Sequence, residues 1–154
     1  MTAGAAPTLC ELDRLSVLIG LPASSAGLTC VDLDFERAGG LCVEHLAGLG
    51  HRRVVLLGAP QVVYDRNTGF ARRTRDGARE TAARHGLDAY VLAVEPVYPA
   101  ALAAVAGSRQ ATGLIVHNEA VVDHVLTALR SLGRPLLNGA IYRSISFDLV
   151  CRLN

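Results

Sequence analysis

Apolar runs alternate with helical patterns along this chain, and that alternation limits its fold more than any other feature. LSVLIGLP at 15–22 and LTCVDL at 28–33 read as strands, with the turn-forming ASSAG at 23–27 between them. Phe35, Ala38, Leu41, Cys42, Leu46 and Leu49 then recur at spacings of three and four, which predicts a helix. Asp34 can cap it by accepting first-turn N–H bonds. Gly50 follows it and tolerates the left-handed conformation that ends helices. VVLLG at 54–58 is a continuous apolar run, as expected of a parallel strand covered on both faces. Thr68 to His85 reads as a polar helix stopped by Gly86, DAYVLAV at 88–94 as a strand and YPAALAAVAG at 98–107 as a short helix. ATGLIVHN at 111–118 is the next strand. EAVVDHVLTALRSLG at 119–133 is a helix with Val122, Val125, Leu126 and Leu129 on one face. The order βαβαβαβα predicts an α/β fold, a three-layer parallel sheet with helices on both faces.

Composition narrows the function classes. A chain of 154 residues, 51% hydrophobic, is enough for one α/β domain with a real core. The net charge of +1 gives no global field toward nucleic acid or membrane. All fifteen basic residues are arginine, which with the abundant Ala, Gly, Leu and Val reads as coding bias. Cys10, Cys30, Cys42 and Cys151 lie among apolar residues without C-x-x-C spacing, so buried thiols in a reducing cytoplasm are expected. No apolar run reaches the roughly 18 residues of a membrane span. The first residues lack the basic start of a signal peptide. Residues 1–14 read as a lead-in and 136–154 as an atypical tail without clear period.

The corner HLAGLGHRRVVLLGAP at 45–60 poses the sharpest choice between anion grip and architecture. A phosphate loop needs glycines between a strand and the following helix. Here the glycine follows a helix and precedes a strand. His51, Arg52 and Arg53 instead complement the negative end of the helix dipole. G-x-G-x-x-G, G-x-x-x-x-G-K-[ST] and G-x-S-x-G are absent, so nucleotide enzymes and common hydrolases find no support. The five histidines show no metal-ligand spacing, and no catalytic group of residues stands out. No metal, no cofactor and no enzymatic activity are expected.

Ligands of open α/β sheets bind beyond the carboxyl ends of the strands. Those ends are Gly58-Ala59-Pro60-Gln61, Val94-Glu95-Pro96 and His117-Asn118-Glu119. Arg66 and Thr68 precede a helix near that edge and offer a guanidinium and a hydroxyl to a small polar ligand. Arg72, Arg75, Arg79 and Arg84 are interspersed with Asp76 and Glu80, as on a solvated helix face. Asn118 and Glu119 suit either a helix cap or a ligand contact.

VDLDFERAGGLCVEHLAGLGHRRVVLLGAP at 31–60 resembles a signature of LacI/GalR-type transcriptional regulators, through Val31, Asp34, Gly39, His45, Leu46, Gly50, His51 and Arg52. VLIGLP is similar to the family's V-x-I-G-R-P, with Leu21 in place of arginine. RNTGFARRTRDGARETAARHGL and ATGLIVHNEAVVDHVLTALRSLGRPL resemble later segments, so the likeness spans roughly residues 15–135. It implies one subdomain of a periplasmic-binding-protein-like sensor, in which a sugar, nucleobase or related metabolite binds and alters a homodimer's affinity for DNA. Carried over, Arg66 and Thr68 match ligand-contacting loop positions, and Asn118 and Glu119 match an N-D pair. Thr74 stands where the family's arginine is expected, which leaves Arg73 as its substitute. No helix-turn-helix is visible, and most of the first sensor subdomain lacks a counterpart. A solute-binding relative serving transport, or a truncated remnant, is the alternative.

Overall fold

The computed structural model describes residues 16–22 and 27–134, and the backbone of 136–143 and 149–153. The expected lead-in at 1–14, with Cys10, lies outside the described residues. Two strands open the described chain, β1 (Val17–Ile19) and β2 (Thr29–Val31), which pair in parallel. Then come α1 (Phe35–Gly48), β3 (Arg53–Gly58), α2 (Gln61–Asp65), α3 (Gly69–Arg84) and β4 (Asp88–Ala93). They are followed by α4 (Tyr98–Gly107), β5 (Gly113–Val116), α5 (Glu119–Ser131), β6 (Leu136–Arg143) and β7 (Leu149–Leu153). β3 to β7 form one sheet in the order β4-β3-β5-β7-β6.

The central strand β3 pairs in parallel with β4 on one side and β5 on the other. That position explains its unbroken apolar run. Alternate side chains of a strand face opposite sides. Val55 and Leu57, with Leu114 and Val116 of β5, pack against α4 and α5 through Ala101, Val105, Val121 and Val125. Val54, Leu56 and Ile115 pack on the opposite side against α1 and α3 through Val43, Leu46, Ala78 and Ala82. The three layers are thus helix pair, sheet and helix pair.

Several details differ from the sequence reading. The buried stripe of α5 centres on Val121, Val125, Ala128 and Leu129, with Val122 and Leu126 only partly covered. Ala128 needs no large side chain because α4 comes close. The short helix α2 was not expected, since its QVVYD has no room for a helical period. The tail, read as patternless, supplies β6 and β7, whose pairings β5–β7 and β6–β7 are antiparallel, so the sheet is mixed at that edge.

The helix pair α1 and α3 is held at unusually short range. A Cβ on Gly77 would meet the Glu36 carbonyl oxygen at 2.0 Å, and one on Gly39 would meet the Thr74 carbonyl oxygen at 2.1 Å. Only hydrogen side chains permit that approach. Asp34 caps α1, its Oδ1 accepting from the Arg37 amide at 2.9 Å. Gly50 leaves it at φ 87°. The following corner is architectural: His51 is buried and its Nδ1 hydrogen-bonds with Thr112 Oγ1 at 2.9 Å. Arg53 donates to Gln110 Oε1 at 3.1 Å. These bonds tie the start of β3 to the approach to β5. Cys42 is a buried thiol as expected, but Cys30 is half-covered, because its two-stranded ribbon has an open face. The side chain of Cys151 lies outside the described residues.

Candidate ligand-binding site

The strands β3 and β5 end side by side, and their last residues turn into loops at the same edge. His117 follows β5, and its amide donates to Leu57 O at 2.9 Å, which holds the two ends in register. Between the loops and the first residues of α1 and α3 lies a pocket of about 320 Å³. Ala59, Pro60 and Val63 form one apolar side; Phe35, Phe70 and His117 form another; Asn118 and Glu119 stand at the rim.

The aromatic wall is built from three separate elements. Phe35 at the start of α1 meets Phe70 of α3 with ring centroids 5.9 Å apart. Phe70 meets His117 edge-on at 5.5 Å. Phe70 is 40% exposed, an open aromatic face at the pocket. His117 is buried, and its Nε2 hydrogen-bonds with Thr74 Oγ1 at 3.3 Å. Burial depresses its pKa to about 4, so the ring is neutral near pH 7.

Of the residues expected from sequence, Asn118 and Glu119 line this pocket. Asn118 also caps α5, its Oδ1 accepting from the Ala120 amide at 3.0 Å. Cap and pocket position therefore coincide in one side chain. Glu119 is exposed in the first turn of α5, where the helix dipole favours its charge. Arg66 and Thr68 are not among the lining residues. Arg66 is exposed at the end of α2, and Thr68 precedes α3 without a side-chain capping bond. Arg73 turns elsewhere: it pairs with Asp32 and donates to Leu33 O at 3.2 Å. Its guanidinium also lies 5.2 Å from the centre of the Phe35 ring. Phe35 and Phe70 carry no site signal in the sequence, whereas His117 stands in a strand end read there as part of the ligand edge. Phe35 and His117 stand at strand–helix junctions; Phe70 opens α3 just after the short helix α2. Among the described residues no three His, Cys, Asp or Glu side chains gather as a metal site. Among them, too, no helix is long and apolar enough to cross a membrane.

The model of the periplasmic binding protein-like domain matches residues 43–135, more than half of the chain. The chain belongs to this family. The periplasmic binding protein-like fold is also what the solved structures share with it. A LacI transcriptional regulator from a Rhodococcus species matches with a TM-score of 0.71 and 19% identity, over 88% of this chain and 50% of its own. A putative LacI-family regulator from Sanguibacter keddieii matches with a TM-score of 0.64 and 28% identity, over 80% of this chain and 47% of its own. A LacI-family regulator from Enterococcus faecium, solved with bound ribose, matches with a TM-score of 0.61 and 17% identity, over 79% of this chain and 45% of its own. The chain thus spans about half the length of the structures it matches. No curated protein matches it.

Proposed function

We propose that this chain is a metabolite-sensing module of a LacI-type transcriptional regulator, acting in the cytoplasm and carrying out no chemistry of its own. Residues 15–135 form its sensor subdomain. Its ligand is a sugar or a related polar metabolite. The supporting observation is the pocket at the joined ends of β3 and β5, where aromatic and aliphatic walls meet an amide and a carboxylate at the rim. Sugars present C–H faces that pack on aromatic rings and hydroxyls that need a few well-placed polar partners, and such pockets supply both. The ribose in the Enterococcus faecium relative favours this class of ligand. In a regulator of this type the occupied cleft alters a homodimer's hold on DNA through a separate DNA-binding domain.

The test is a thermal melt followed by circular dichroism, with pentoses, hexoses and nucleobases added in turn. A ligand that binds only the folded chain adds about 2.7 kcal/mol of stability at a hundredfold excess over its Kd. A melt raised by one sugar class supports the reading. A melt that none of them moves rejects it.

A further inference from the structure

Among the described residues that line the pocket, Glu119 alone carries a charge. The aromatic and aliphatic sides are neutral. So are Asn118 and the His117 ring, which burial keeps unprotonated near pH 7. A pocket that takes up an anion must replace the lost water with a cation or with free N–H donors.

The groups that could do so lie close by and are engaged elsewhere. Arg73 pairs with Asp32 and donates to Leu33 O. Arg72 donates to Asn67 Oδ1, and Arg75 pairs with Asp76 at 2.8 Å. Arg66 stands exposed at the end of α2 and is not among the lining residues. At the start of α5 the Ala120 amide donates to Asn118 Oδ1 and the Val121 amide to Asn118 O. Glu119 then adds its own negative charge to that first turn. Of the first turn of α3 only Phe70 lines the pocket. A cation meets different surroundings. The Phe70 ring is 40% exposed, and an aromatic face attracts positive charge. The Glu119 carboxylate stands at the same rim as Asn118 and can accept from an ammonium.

We infer that this site sorts sugars by charge: it refuses phosphate esters and sugar acids and prefers amino sugars to their neutral parents, with Glu119 the residue that sets the preference. The inference rests on the sugar-sensing reading above and adds the ionic class of the ligand. The two halves differ in size. An anion entering the pocket gives up water and gains no countercharge, which is costly. The pull of Glu119 on an ammonium is screened, because the side chain is exposed, so that gain is a few-fold.

The experiment is isothermal titration of the full chain with sugars that share a ring and differ in charge. The set is D-ribose and ribose 5-phosphate, then D-glucose, glucose 6-phosphate, glucuronate, glucosamine and 6-amino-6-deoxyglucose. Each anionic form is expected to bind at least about tenfold more weakly than its neutral parent. The tighter amino form should bind roughly twofold to fivefold more strongly than glucose. Glu119→Gln keeps the shape and removes the charge, so it should abolish the amino advantage and leave glucose within about threefold of wild type. Added sodium chloride should erode the amino advantage in wild type and leave glucose unmoved. A phosphate ester or sugar acid that binds as tightly as its parent overturns the inference and leaves the sugar reading intact. So does an amino advantage that is absent from wild type or that survives in Glu119→Gln. If the variant does not fold, an amino advantage in wild type that salt leaves unchanged overturns the role of Glu119. Failure of wild type to bind any sugar of any charge rejects the sugar reading, and the inference falls with it.

Discussion

Arg73 of α3 forms an ion pair with Asp32 at the end of β2, across 41 positions of sequence. Both side chains are largely covered, at 22% and 19% exposure. Asp32 also accepts from the amides of Leu21 and Leu33, each at 2.9 Å. The pair therefore fastens the β1–β2 ribbon to the helical layer. Arg73→Ala removes it and leaves the carboxylate half-buried, a loss of about 1–3 kcal/mol in urea denaturation. Sugar affinity should change far less, because the arginine does not line the pocket. Affinity lost without stability would show that Arg73 serves the ligand after all.

Acid acts on the same pair at the low end of the pH scale. Burial alone would raise the Asp32 carboxyl, but the bonds from Arg73, Leu33 and Leu21 outweigh it and hold the pKa below the ordinary value. Its contribution is full above the unfolded carboxyl range and is lost as pH falls through the lower folded value. His117 acts higher. Unfolded, it takes a proton near pH 6.5; folded, only near pH 4. The unfolded chain thus binds more protons across that window, and stability falls as pH drops from about 6.5 toward 4, by on the order of 3 kcal/mol. Comparing denaturation midpoints at pH 7 and 5 checks this. His117→Phe should flatten the curve there and leave the steeper fall below pH 4.

Gly77→Ala should force α1 and α3 apart, because the new Cβ meets the Glu36 backbone at 2.0 Å. Overpacking of this kind costs about 1–3 kcal/mol, sometimes more. Gly48 is helical too, but a Cβ there meets nothing within 4 Å. Gly48→Ala should stabilise by about 0.5–1 kcal/mol. Equal melting shifts for the two variants would contradict the close helix contact.

Asn118 and Glu119 separate capping from binding. Asn118→Ala loses the bond to the Ala120 amide and should cost about 0.5–2 kcal/mol of stability. Glu119→Ala is expected to leave the melt within about 1 kcal/mol of wild type. It should weaken the best sugar by about tenfold. Titration of both variants beside their melts resolves the two roles.

Much of this fold was legible because its signals are local. A cap such as Asp34, a stop such as Gly50 and the apolar run of β3 each act within a few residues, so their outcome follows from the chain's own order. The stripe of α5 slipped by a position because the closeness of α4 decides which side of a helix is covered. The site was harder. Asn118 and Glu119 could be placed at the sheet's ligand edge, since topology puts a strand end there. Phe35, Phe70 and His117 meet only through packing of three elements, and no spacing foretells it. Arg73 enters only as the stand-in for the arginine that the resemblance expects at Thr74, and its neighbours in sequence do not reveal its ion pair. Its partner Asp32 arrives from another strand end.

Thr74 has two contacts that matter together: its hydroxyl holds His117, and its carbonyl lies against Gly39. The residue that anchors the pocket histidine therefore stands on backbone with no slack. Displacement of Thr74 toward α1 is closed by that contact. Replacements at 74 and 117 should therefore be coupled, and a double-mutant cycle in thermal stability measures that coupling. The tight helix crossing thereby links the packing of α1 to the setting of a histidine at the end of a strand on the other side of α3.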